Sequence, residues 1–131
     1  MKKKILISSG GSGGHVIPAT IFYEHLKNKF DVFFTVDKRG AKFLNLEKYK
    51  VTIIDTPKLT NNLFLLPLNF FSFFSSIIKS IIFFKKNKID ILISTGGYMS
   101  LPFCFVAKIL NIKIYLFEPN MVLGRANNFF V

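Results

Sequence analysis

Gly10-Gly11-Ser12-Gly13-Gly14-His15 follows directly on a short apolar run, Ile5-Leu6-Ile7. Four glycines in five positions do not suit the interior of a strand or helix, where glycine loses stability and packs nothing. They suit a sharp turn at which another molecule can approach backbone amides. Pro18 follows, and then Ala19, Ile21, Phe22 and Leu26 recur at helical spacing. Proline fits the first turn of a helix, so the pattern predicts a strand, a glycine loop and a helix from Pro18 to about Asn28. Exposed N–H groups and the positive end of the helix dipole make that junction attractive to phosphate or another anion.

Two familiar phosphate loops do not fit. In a dinucleotide fingerprint counted from Gly11 the third glycine falls at Val16; counted from Gly10, the second falls at Ser12. No Lys-Ser or Lys-Thr pair follows the glycines, which excludes the P-loop. Taken alone, the loop leaves a generic tight turn open beside a ligand site.

Outward from this loop, short apolar runs alternate with helical patterns. Strands are predicted at Ile5–Ile7, Val32–Val36, Val51–Ile54, Ile89–Ile93 and Ile112–Phe117. Helices are predicted over about 40–47, from Ser100 to Leu110, and from Asn120 onward. Near-continuous apolar strands separated by helices imply an α/β fold with a doubly wound parallel sheet, Rossmann-like, covered on both faces. Ligands are then expected at the carboxyl ends of the strands. By that rule Gly10 to His15, Thr95-Gly96-Gly97-Tyr98 and Glu118-Pro119-Asn120 share one crevice rim. The second loop repeats the device of the first, with Ser100 as the expected helix cap and Pro102 in the first turn.

At 131 residues the chain makes one domain, and with half its residues hydrophobic it is not disordered. Its formal net charge of +11 implies an anionic partner: nucleic acid, an anionic membrane surface or a phosphorylated substrate. Seventeen phenylalanines beside abundant lysine also fit codon drift, which dilutes that signal. The lysines are scattered and no nucleic-acid motif accompanies them, so nucleic acid is set aside. Cys104 lies in an apolar run and reads as a buried, inert thiol; a lone cysteine suits a reducing compartment.

Leu63 to Phe84 approaches the length of a membrane span. Pro67, Asn69, Ser72, Ser75, Ser76, Lys79 and Ser80 interrupt it, and positions 69, 72, 76, 79 and 80 form a narrow polar stripe at helical spacing. The rest is phenylalanine and isoleucine, an arc wider than a sheet contact needs, and Lys85, Lys86 and Lys88 follow. The reading is an interfacial helix that covers the sheet and dips into a membrane surface, its lysines towards anionic headgroups. An ordinary core helix and a true span remain the alternatives.

The loop GGSGGH with Val16-Ile17-Pro18-Ala19, the segment STGGYMSLP at 94–102 and FEPNMVLGRAN at 117–127 stand in an order that resembles the MurG-type family of lipid-linked UDP-N-acetylglucosamine transferases of peptidoglycan synthesis (family 28 glycosyltransferases). The resemblance implies the N-terminal half of a two-domain GT-B enzyme. Such an enzyme moves GlcNAc from UDP-GlcNAc to undecaprenyl-pyrophosphoryl-MurNAc-pentapeptide, with inversion, and its N-terminal domain docks peripherally on the cytoplasmic face of the bacterial membrane. Residues 1–131 would be the acceptor and membrane-docking domain, completed by a C-terminal donor-nucleotide domain or by a separate partner chain. The two-subunit arrangement, with this chain as membrane anchor, is the alternative. Ser12 stands where the family usually has Thr, Leu101 where it has Gly, and Phe117 and Pro119 where it has His and Gln.

Glycosyl transfer requires a stabilised leaving diphosphate, an acceptor hydroxyl that loses its proton, and both held in line. Ser12, Gly13 and Gly14 offer amide donors to a diphosphate, with the helix dipole and without any metal or cofactor. The resemblance places these three and Asn120 at the donor sugar. His15 is the candidate catalytic residue, as proton acceptor or acceptor-binding group; bracing the helix is its structural alternative. Gly96, Gly97, Tyr98 and Glu118 are the candidate acceptor contacts, although Tyr98 would serve equally as packing and Asn120 as a turn residue. His25 reads as solvated on the polar side of the first helix.

Overall fold

The computed structural model describes residues 2–54 and 66–118, the side chains of 66–69 excepted. The expected helix from Asn120, with Pro119 and Asn120 themselves, lies outside the described residues. The elements run β1 (Lys4–Ser8), α1 (Gly13–Leu26), β2 (Asp31–Val36), α2 (Lys38–Ala41), β3 (Val51–Ile53), α3 (Leu66–Asn87), β4 (Ile91–Ser94), α4 (Ser100–Ile109) and β5 (Lys113–Leu116). All strands pair in parallel in the order β3-β2-β1-β4-β5. The doubly wound class predicted from the alternating runs is the one observed.

Alternation along the central strands builds two cores. Ile5 and Ile7 of β1 and Ile93 of β4 join Ala19, Phe34, Val36 and Ala41 beneath α1 and α2. Leu6 and Leu92 point the other way, to Phe84 of α3 and to Phe103, Cys104, Val106 and Ala107 of α4. Both faces of β1 and β4 are therefore covered, which explains why these strands are apolar throughout. Register places Ser8 opposite Thr35 and Ser94, so β1 and β4 end level and β2 runs one residue further. Between β1 and β4 the chain order reverses, and the loops that leave those two strands border one crevice.

Several boundaries differ from expectation for local reasons. Helix α1 starts at Gly13, because Ser12 is already the extended N-cap residue (φ −135°, ψ 161°). Pro18 thus stands inside the helix and gives no N–H to the Gly14 carbonyl. Helix α2 is a single turn over Lys38–Ala41 rather than 40–47: Asp37 caps it, and Asn45 turns the chain again by accepting the Glu47 N–H at 3.0 Å. Ser100 is not the cap of α4; Met99 holds that position, and the Ser100 hydroxyl donates to the Gly97 carbonyl at 2.7 Å.

Candidate active site

The first loop leaves β1 by extending its pairing: Ser9 N–H donates to the Thr35 carbonyl at 3.1 Å. The backbone then reverses at Gly11, whose φ of +87° is open to glycine and strained for other residues. The Ser12 carbonyl receives the N–H groups of His15 and Val16, both at 3.1 Å, which starts α1. The Ser12 hydroxyl makes no capping bond. Gly13 and Gly14, in the first turn, have no carbonyl one turn back to receive their N–H groups. These amides and the dipole of a 14-residue helix converge at the edge of the crevice.

The second loop is pressed against the first. Thr95 N–H donates to the Ser8 carbonyl at 3.2 Å, and the chain then passes through Gly96 and Gly97, both at positive φ. A Cβ on Gly97 would lie 2.3 Å from the Gly10 carbonyl oxygen, so the two backbones touch where no side chain fits. His15 bridges the loops from the helix side. Its Nδ1 lies 2.7 Å from the Thr95 carbonyl oxygen, and the ring packs so closely on Gly96 that a Cβ there would sit 2.8 Å from Nδ1. A carbonyl only accepts, so Nδ1 carries the proton of this bond, and the neutral tautomer compatible with it has its lone pair on Nε2.

At the third loop, Phe117 N–H donates to the Ser94 carbonyl at 2.8 Å and the Phe117 ring meets Phe22 of α1 edge-on. Half-buried Glu118 therefore emerges at the same sheet edge. The structure brings Ser12, Gly13, Gly14 and His15 together with Gly96, Gly97 and Tyr98, and sets Glu118 on the same border; Asn120 lies outside the described residues. Exposed His25 bonds through Nδ1 to the Ile21 carbonyl at 2.8 Å, away from this crevice.

Sequence reasoning missed Asp37. It follows β2 and is almost wholly buried, yet carries four hydrogen bonds. Its Oδ1 accepts the N–H groups of Gly11 (2.9 Å) and Gly40 (2.7 Å); Oδ2 accepts Arg39 Nε (2.9 Å) and Nη2 (2.7 Å). An acidic residue at the end of a strand, just before a Lys-Arg pair, was the available signal.

Away from the crevice, α3 is turned inside out. Ser76 and Ser80 are buried, each hydroxyl donating to the carbonyl one turn back (Ser72 at 3.0 Å, Ser76 at 2.8 Å). Phe70, Phe71, Phe74, Ile78 and Ile82 face outward, with Phe70 and Phe71 at 73% and 79% exposure. Phe105 and Ile109 of α4 are also exposed, and Lys79, Lys85 and Lys86 flank the apolar stripe. Among the described residues no helix is long and apolar enough to cross a membrane.

The class of protein this fold defines is a doubly wound parallel α/β domain whose two abutting glycine loops meet at the reversal point of the sheet. The crystal structure of MurG from Acinetobacter baumannii superposes with a TM-score of 0.81 over 97% of this chain and 38% of that one, at 23% identity, which shows the fold. The glycosyltransferase family 28 N-terminal domain matches residues 5–131, and the chain belongs to that family. It is 63% identical over its whole length to a Pelagibacter ubique protein named UDP-N-acetylglucosamine--N-acetylmuramyl-(pentapeptide) pyrophosphoryl-undecaprenol N-acetylglucosamine transferase. A Rickettsia typhi protein of the same name is 35% identical over 98% of the chain. The chain spans 37% and 33% of the lengths of these two relatives.

Proposed function

We propose that this chain is the acceptor-side, membrane-docking half of an enzyme that transfers GlcNAc from UDP-GlcNAc to undecaprenyl-pyrophosphoryl-MurNAc-pentapeptide. The observation that carries this reading is the joined pair of glycine loops with His15 held between them, in a chain so similar to transferases named for that reaction. His15 is the proton acceptor: the Thr95 carbonyl fixes its tautomer and leaves Nε2 to take the proton of the attacking acceptor hydroxyl. The free amides of Gly13 and Gly14, with Ser12, stabilise diphosphate charge at the helix terminus, an electrostatic contribution already in place before the reaction begins. Gly96, Gly97, Tyr98 and Glu118 border the space for the acceptor sugar, and Asn120 contacts the donor sugar. The nucleotide is held chiefly by the part of the relatives that lies beyond the span matched here.

The outward stripe of α3, extended by Phe105 and Ile109 of α4, supports peripheral docking of this half on a membrane, in this reading on its cytoplasmic face. Rings enter the acyl boundary while Lys79, Lys85 and Lys86 meet anionic headgroups. Such docking brings the crevice to an acceptor that cannot leave the bilayer. The test of the site is a chimera in which these 131 residues replace the matching segment of the Pelagibacter ubique transferase. His15→Ala should lower its kcat about 10²-fold, the usual contribution of a general base. A fall of less than about threefold removes the catalytic role of His15.

A further inference from the structure

We propose that Asp37 is a positioning residue for this reaction, clamping the first glycine loop in the orientation that presents its amides. The proposal rests on the transferase reading, and its key observation is that one carboxylate oxygen serves two distant segments. Capping α2 requires only the Gly40 N–H. The same Oδ1 also receives the N–H of Gly11, 26 residues away, at the one left-handed position of the loop. A Cβ on Gly10 would lie 3.0 Å from Asp37 Oδ1 and 2.9 Å from Met99 Cβ, so carboxylate, first loop and second loop form one continuous stack. On the far side of that stack the Gly10 carbonyl meets Gly97. Moving Asp37 therefore shifts both loops, and with them the groove His15 bridges.

Arg39 completes the device. A bare carboxylate beside the start of α1 would repel the diphosphate that the free amides attract. Two guanidinium bonds to Oδ2 neutralise it and fill its remaining acceptor positions. With all four bonds made inside the protein, Asp37 has no acceptor left for a ribose. That separates it from the acidic residue of dinucleotide folds, which binds the ribose hydroxyl. Its task is geometry.

Two measurements test this. In the 131-residue chain, Asp37→Ala should speed amide hydrogen exchange at Gly11 at least about tenfold while Leu6 and Leu92 keep their protection, and Asp37→Asn, which retains Oδ1, should stay near wild type. In the chimera, Asp37→Ala should lower kcat about 30- to 100-fold with the KM for UDP-GlcNAc within about threefold, the signature of misplacement rather than lost donor binding. Asp37→Asn should recover most of that loss. Arg39→Gln, which spares the Gly11 bond but uncovers the charge, should raise the KM for UDP-GlcNAc more than it lowers kcat. Unchanged Gly11 exchange in Asp37→Ala, or a kcat within threefold of wild type, overturns the proposal. If Asp37→Ala fails to fold, Asp37→Glu, which displaces the carboxylate by one methylene, takes its place, and Gly11 exchange or a kcat within about threefold of wild type in that variant overturns the proposal instead. A wild-type chimera that transfers no GlcNAc counts against the transferase reading alone, because Gly11 exchange is read without turnover.

Discussion

The carboxyl edge of the sheet and the outer face of α3 bury or expose their parts on opposite principles. At the edge, backbone lies on backbone: Gly97 on Gly10, the His15 ring on Gly96, Asp37 under Gly11. Fit there is decided by single atoms, and one added methyl group collides. Along α3 the contact is collective, with five large apolar side chains facing outward and buried serines satisfied within their own helix. Fit there is decided by area. The first region is built to hold geometry and the second to be covered by something apolar, so they should fail differently under mutation.

The edge should respond most sharply. Gly97→Ala combines a positive φ with a Cβ 2.3 Å from the Gly10 carbonyl oxygen, and neither atom is the end of a flexible side chain. We expect a loss of about 2–4 kcal/mol in urea unfolding. Gly14→Ala is the matched control, because its nearest neighbour would be the Ser12 hydroxyl oxygen at 3.7 Å and its φ is ordinary. In the first helical turn alanine outranks glycine, so that variant should be neutral or more stable by up to about 1 kcal/mol. If both variants unfold alike, the edge is not the tightly fitted region described.

The α3 face should respond by degrees. Replacing Phe70, Phe71 and Phe74 together by serine removes three exposed rings and touches no core residue. Folding stability should move by less than about 0.5 kcal/mol, as for surface changes. Partition onto vesicles containing anionic lipid should fall at least about 100-fold, at about 1–2 kcal/mol for each partly inserted ring. Raising salt should weaken the wild type further by screening the lysines. Co-sedimentation that ignores both the triple variant and lipid charge would leave this face without its membrane.

How much of this was legible in the residues follows the same division. Clustered glycines after apolar runs announced both loops and their shared edge, because only a close approach or a left-handed turn explains them. Pro18 suits a first helical turn and so predicts a start of α1 there, whereas the extended Ser12 sets the cap and starts the helix five positions earlier, at Gly13. Asp37 stood in view as an acid after a strand, but its clamp was illegible because one partner, the Gly11 amide, is remote in sequence and becomes a neighbour only when β1 and β2 pair. The polar stripe of α3 was seen, but periodicity does not say which side faces the sheet. Serines that bond their own helix are free to turn inward, and Ser76 and Ser80 do so.

Cys104 offers the finest probe of the contrast, since α4 carries it between the two regions. Burial pushes its thiol up to about 12, against which a hydrogen bond with Ser94 at the edge of β4 acts in the lowering direction. At pH 8 the folded thiol therefore stays neutral and shielded, and its alkylation should run at least about 10³-fold slower than in urea, limited by opening of the fold. The raised value also sets a pH trend: the unfolded thiol ionises near 9 while the folded one does not, so this group's contribution to stability is intact below pH 9 and is lost between about 9 and 12. Cys104→Ala should remove that part of the alkaline decline. Gly97→Ala should speed labelling of Cys104 in proportion to its lost stability, whereas the triple phenylalanine variant should leave the rate within about twofold. Equal acceleration by both would mean that the greasy layer and the loop edge open as one unit, and that their separation holds for contacts but not for dynamics.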